Sequence, residues 1–114
     1  MKVIIAGGRD FSDYDVLKKY CDSRLTFENI EIVSGCAKGA DTLGERWASE
    51  RGVYIKKFPA NWSKWGKAAG FKRNIEMAEY ANVLVAFWDG KSKGTEHMIK
   101  TANKLGLEVY IYKY

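Results

Sequence analysis

The residues of this chain best suited to chemistry fall in four glycine-punctuated segments. The first is Gly7-Gly8-Arg9-Asp10-Phe11, directly after the apolar run Val3-Ile4-Ile5-Ala6. Paired glycines let backbone come close to a ligand, and Arg9 offers a planar fork for phosphate. A tight turn with Arg9 paired to Asp10 is the plainer alternative. The segment is not the GxGxxG dinucleotide fingerprint. The second is Ser34-Gly35-Cys36-Ala37-Lys38-Gly39-Ala40-Asp41. It leads into a helical pattern, where free backbone N–H groups make an anion site. Ser34 and Lys38 add side-chain donors, and Asp41 suits a ribose hydroxyl or simply the helix dipole. The third is Trp88-Asp89-Gly90-Lys91-Ser92-Lys93-Gly94-Thr95-Glu96. It offers Gly94 and hydroxyls from Ser92 and Thr95 at another helix start, with Thr95 equally suited to an N-cap. None of them matches the GxxxxGK[ST] loop of P-loop NTPases.

The fourth segment, Trp62 to Asn74, is basic and contains Gly66 and Gly70. Arg73 and Asn74 fall among the apolar positions Phe71 and Ile75, so the guanidinium needs a partner, a ligand anion or an acid such as Glu76. Trp62 and Trp65, interleaved with lysines, suit base stacking or, more commonly, core packing. His97 is the single histidine and sits beside the third segment, where acid–base work and simple packing are both open. Cys36 lies near a helix start that would stabilise a thiolate.

Short β-branched runs alternate with helical patterns and position these segments. Strands are expected at Val3–Ala6, Ile30–Val33, Val53–Phe58, Val83–Phe87 and Val109–Tyr112. A helix capped by Ser12, with Asp15 three residues on, carries Leu17, Tyr20, Cys21 and Leu25 on one face. Ala40, Leu43, Trp47 and Ala48 mark a second helix. Ala68, Phe71, Ile75, Ala78 and Ala81 mark a third. Met98, Ile99, Ala102 and Leu105 mark a fourth, with Gly106 as its stop. The alternation implies an α/β fold, a three-layer α/β/α sandwich around a five-stranded, mostly parallel sheet. A Rossmann-like sheet of this kind is expected in the order 3-2-1-4-5. Its ligands sit beyond the carboxyl ends of the strands, where all three glycine loops would lie together.

Composition fits one domain over residues 1–114, 46% hydrophobic and 14% aromatic, able to bury a core without disulfide or metal. Nineteen basic residues against fourteen acidic give a net charge of +5. The excess is local: no acid falls between Glu50 and Glu76, a stretch holding Arg51, Lys56, Lys57, Lys64, Lys67, Lys72 and Arg73. Such a stretch suits phosphates or is a solvated face. Cys21 and Cys36 form no zinc-type spacing, so no metal and no cofactor is expected. No signal-peptide pattern and no membrane-length apolar run is present, which points to the cytosol with both thiols reduced and no membrane partner.

On these four segments, in this order, the sequence resembles the SLOG superfamily, which joins the Lonely Guy phosphoribohydrolases with DNA-processing proteins. It is most similar to a small, single-domain, uncharacterised branch of bacteria and phages. The resemblance covers nearly the whole chain and implies a Rossmann-like domain that binds nucleotides or their derivatives. Lonely Guy enzymes cleave the N-glycosidic bond of nucleoside monophosphates. Their Arg-x-x-x-Met matches Arg73 and Met77, but the Glu of their Gly-Gly-x-Gly-Thr-x-x-Glu loop is replaced here by Met98. Glu96 lies one residue after Thr95 and leaves the helix in another direction, so Arg73 and Glu96 are what remains of a catalytic set. Cys36 stands where relatives usually have Gly, and Asn61 where they often have Asp. The resemblance also allows a homodimer, since Lonely Guy enzymes are dimers.

Three functions follow in order. The first is binding or sensing of a nucleotide-like small molecule. In it, Gly7, Gly8, Gly35, Gly39 and Gly94 supply backbone, Arg9 and Arg73 charge, and Asp10, Ser34, Lys38, Asp41, Asn74, Ser92 and Thr95 hydrogen bonds. The second is a phosphoribohydrolase-like N-glycosidase. The third is single-stranded nucleic-acid binding.

Overall fold

A computed structural model describes all of residues 1–114. Strand β1 (Lys2–Gly7) is the centre of the sheet. It pairs in parallel with β2 (Glu31–Ser34) on one side and with β4 (Val83–Trp88) on the other. Outside these run β3 (Tyr54–Lys57) against β2 and β5 (Glu108–Lys113) against β4, again parallel. The order is β3-β2-β1-β4-β5, as expected, and all five strands are parallel.

The central strands are continuous apolar runs because both of their faces are covered. Successive side chains of β1 alternate between two cores. Val3 and Ile5 join Leu17 and Cys21 of α1 (Tyr14–Arg24) and Trp47 and Ala48 of α2 (Ala40–Glu50). Ile4 and Ala6 join Met77 and Ala78 of α4 (Ala69–Tyr80) and Met98 and Ala102 of α5 (Lys93–Lys104). The result is the three-layer α/β/α sandwich. The chain leaves β1 toward β2 and returns to β4 on the opposite side. The crevice between the carboxyl ends of β1 and β4 is therefore the topological switch point, where open α/β sheets bind their ligands.

Three local expectations shift. Asp13, not Ser12, caps α1: its carboxylate accepts the Val16 N–H at 3.1 Å. The third expected helix comes in pieces, α3 (Trp62–Trp65), a 3₁₀ turn (Gly66–Ala68) and then α4. Gly66 turns the chain between them with φ of 56°. Ala69, Asn74, Met77 and Ala78 face inward, whereas Phe71 and Ile75 are 47% and 41% exposed. Leu105 caps α5 on the surface, and Gly106 follows it in the left-handed conformation that a helix stop favours. No helix is long and apolar enough to cross a membrane.

Candidate functional site

The glycine loops meet at the carboxyl end of the sheet because backbone bonds tie them to one another. After β1, the Gly8 N–H donates to the Phe87 carbonyl at 3.0 Å, joining the first loop to β4. The Gly8 carbonyl accepts from Phe11 and from Ala40, both at 3.2 Å, joining it to the start of α2. Close approach dictates the residue types. A Cβ on Gly7 would overlap the Phe87 carbonyl oxygen, and one on Gly39 would overlap the Gly8 carbonyl oxygen. Gly39 also holds φ of 79°, which other residues adopt only under strain.

The second loop is braced from beneath. Ser34, fully buried, donates to Glu45 at 2.6 Å and accepts the Cys36 N–H at 3.1 Å. Cys36 takes φ of 63°, a conformation in which glycine is at ease. One Asp41 oxygen accepts the Ala37 N–H at 3.2 Å, while the other makes no bond within the protein. In the third loop Asp89 Oδ1 accepts the N–H groups of Lys91 and Ser92 at 2.8 Å. Ser92 rather than Thr95 is the cap of α5.

Arg73 and Asn74 clamp the second loop to the third. The Arg73 guanidinium donates to the Gly35 carbonyl, and its Nε donates to Asn74 Oδ1 at 3.2 Å. The Asn74 amide lies 3.2 Å from both the Gly94 carbonyl and His97 Nδ1. Glu76 plays no part in this arrangement.

Between these loops lies a cavity of about 440 Å³. The first loop contributes Gly7, Gly8, Arg9 and Asp10, and α2 contributes Asp41. Helix α4 contributes Arg73 and Asn74, and α5 with its cap contributes Ser92, Gly94 and Thr95. Four expected ligand residues do not line it. Ser34 and Gly35 lie beneath as braces, Gly39 is sealed against the Gly8 carbonyl, and Lys38 is exposed outside. Glu96 pairs with Lys100 at 3.6 Å away from the cavity, and Met98 stands in the wall instead. Phe71 and Asp89 line the cavity without having been singled out from the sequence. Trp62 does too, half exposed rather than core-packed.

The cavity walls carry three cations, Arg9, Lys67 and Arg73, and three acids, Asp10, Asp41 and Asp89. None of the chain's ion pairs uses any of these three cations. Arg9 does not pair with Asp10, whose carboxylate accepts from the Tyr114 hydroxyl at 2.5 Å. Burial pushes Asp41 up to about 6, against the pull of the Ala37 N–H and of Arg73. Burial likewise lowers Arg73 from its ordinary value. Burial, reinforced by Glu45, raises the Cys36 thiol, so the expected stabilised thiolate is not found. Burial lowers His97, which lies in contact with Asn74, Phe71 and Thr101 and not with Cys36.

The model of the YspA, cpYpsA-related SLOG family matches residues 1–65, from β1 through α3. The Gene 61 protein of Mycobacterium phage D29 is 34% identical over 116 residues, covering 95% of this chain and 93% of that protein. The chain belongs to the YspA, cpYpsA-related SLOG family. The family match spans the first two loops, while the clamp residues and the third loop lie beyond it. Two solved structures share the SLOG-type fold at 20% identity. DNA processing protein A of Streptococcus pneumoniae superposes with a TM-score of 0.78 over 96% of this chain, which spans about half (49%) of that protein. The protein TM1055 superposes with a TM-score of 0.69 over 95% of this chain and 71% of its own.

Proposed function

We propose that this SLOG-family domain binds a nucleotide or nucleotide-derived small molecule in the cavity at the carboxyl edge of the sheet. One observation carries the reading: a half-buried Arg73 without an ion-pair partner faces a cavity whose walls also hold the buried carboxyl of Asp41. A desolvated guanidinium is costly unless an anion completes it. A phosphate meets Arg73 and Arg9, with the backbone N–H of Gly94 at the start of α5 adding a neutral donor. The free oxygen of Asp41 accepts from a sugar hydroxyl. The balance of three acids and three cations suits a ligand with both phosphate and hydroxyls better than a nucleic-acid strand, whose phosphates call for a predominantly positive protein groove. A volume near 440 Å³ falls within the range of small-ligand sites.

A second reading, N-glycosidic hydrolysis, draws support from Asp41. A carboxyl near 6 beside a guanidinium is suited to give or take a proton at neutral pH. The replacement of the family's acid by Met98, whose thioether can do neither, opposes this reading.

The test is a thermal-shift screen with AMP, ADP-ribose, NAD, cyclic nucleotides and a short single-stranded oligonucleotide. A ligand at a hundred times its Kd adds about 2.7 kcal/mol, a rise of several degrees for a domain of this size. The binding reading expects a rise with a small nucleotide, lost in Arg73→Ala. A rise with the oligonucleotide alone, fading with salt, contradicts it. Release of free base from a bound nucleoside monophosphate, abolished in Asp41→Asn, identifies the hydrolase.

A further inference from the structure

Two tryptophans stand on the four-residue helix α3, and their surroundings differ. Trp65 is 42% exposed but carries cations on its ring, Lys64 Nζ at 4.8 Å and Lys72 Nζ at 4.1 Å from the centroid. Trp62 is 50% exposed and takes part in no cation–π or ring–ring contact. Trp62 and Phe71 are the two aromatic residues lining the cavity. Phe71 already stacks on the His97 imidazole, centroids 4.3 Å apart and planes 25° from parallel. Trp62 therefore presents the one uncommitted aromatic face in the cavity wall.

Its position relative to the anion site is set by Gly70. A Cβ placed on Gly70 would stand 3.5 Å from the Trp62 ring and 3.7 Å from the Arg73 guanidinium. Indole and guanidinium thus flank a single gap, which a glycine leaves open. Helix α3 is itself capped: the Asn61 side chain accepts the Lys64 N–H at 3.1 Å and the Ser63 hydroxyl at 2.9 Å. The indole is held on an ordered element and not on a free loop.

We propose that Trp62 is the base-recognition residue of this cavity. The site accordingly takes ligands that carry a planar nucleobase beside their phosphate and discriminates against sugar phosphates without one. This rests on the phosphate reading of Arg73 and adds to it the group at the other end of the ligand. Stacking on the indole is sequence-tolerant, because every base has a π face, and is worth roughly five- to hundredfold in affinity.

Calorimetric titrations with AMP, GMP, CMP, UMP and ribose 5-phosphate, against the wild-type chain, Trp62→Ala, Trp62→Phe and Arg73→Ala, test it. The best nucleotide binds the wild-type chain at least about fivefold more tightly than ribose 5-phosphate. Trp62→Ala removes that advantage and leaves ribose 5-phosphate unchanged; Trp62→Phe keeps most of it; Arg73→Ala weakens every ligand. Because Trp62 is half exposed, both variants at this position keep the wild-type melting temperature within a few degrees. The proposal is overturned if ribose 5-phosphate binds as tightly as every nucleotide, or if Trp62→Ala weakens all ligands alike or none. In those cases the Arg73 result still stands for the phosphate site. If no probe binds the wild-type chain, the phosphate reading itself fails and the base proposal falls with it.

Discussion

Asp41 offers a quantitative handle on the site, because a carboxylate held in a buried place should cost stability. It is 5% exposed, accepts a single backbone hydrogen bond through Oδ2, and has no cation within ion-pair distance. Burial carries its pKa from 3.8 to about 6. Between those values the native chain binds more protons than the unfolded chain. The contribution of this group to stability therefore falls as pH rises from about 4 to about 6. A shift of about two units corresponds to roughly 2–3 kcal/mol lost by pH 7. Asp41→Asn keeps an oxygen for the Ala37 N–H and removes the charge. Urea denaturation of both chains at pH 4, 5, 6 and 7.5 gives a stability difference, variant minus wild type. Asp22, Glu50 and Asp89, whose lowered values act in the opposite direction, are present in both chains and cancel. The difference should grow by roughly 2–3 kcal/mol between pH 4 and 7.5, in favour of the variant. A difference independent of pH, or one that shrinks, refutes the reasoning that Asp41 is held charged against its burial.

Arg73→Ala should weaken binding of the screened nucleotide by at least about a hundredfold, while the melting temperature moves by only a few degrees; calorimetry and a thermal melt check the two halves. Gly39→Ala combines a strained φ of 79° with overlap on the Gly8 carbonyl, and should cost roughly 2–4 kcal/mol in urea denaturation. At Cys36, with φ of 63°, substitution by Gly should stay within about 1 kcal/mol of wild type, whereas Val should cost about 1–2 kcal/mol. Glu96→Gln should leave nucleotide affinity unchanged in the same titrations, because Glu96 faces Lys100 outside the cavity.

The sheet was legible because its signals are local and strong. Val3–Ala6 and Val83–Phe87 are too apolar and too short to be anything but strands buried on both faces. Parallel strands then require all three strand-to-helix loops to open on one edge, which groups Gly7, Asp41 and Thr95 from sequence alone. Details that depend on tertiary contact were not legible. Ser34 is a good phosphate donor by type, but Glu45, eleven residues on, claims its hydroxyl at 2.6 Å. Phe71 and Ile75 suited the core by apolar type and helical spacing. Within α4 the buried stripe runs through Asn74, Met77 and Ala78, which leaves Phe71 in the cavity wall and half exposed. Gly66, which adopts a φ of 56°, was the available clue that the helix is broken. The interleaving of Trp62 with lysines left both base stacking and core packing open, and the exposure that separates them depends on tertiary contact.

The most direct test of the central claim is a two-dimensional amide NMR titration of the isotopically labelled 13.0 kDa chain with the nucleotide that gives the largest thermal shift. Binding at the carboxyl edge of the sheet predicts the largest shifts at the amides of Gly8, Arg9, Ala37 and Gly94 and at the Trp62 indole N–H, with the amino-terminal edge around Asn29 and Asn82 unmoved. Saturable shifts confined to the amino-terminal edge or to the outer face of β3 would contradict it.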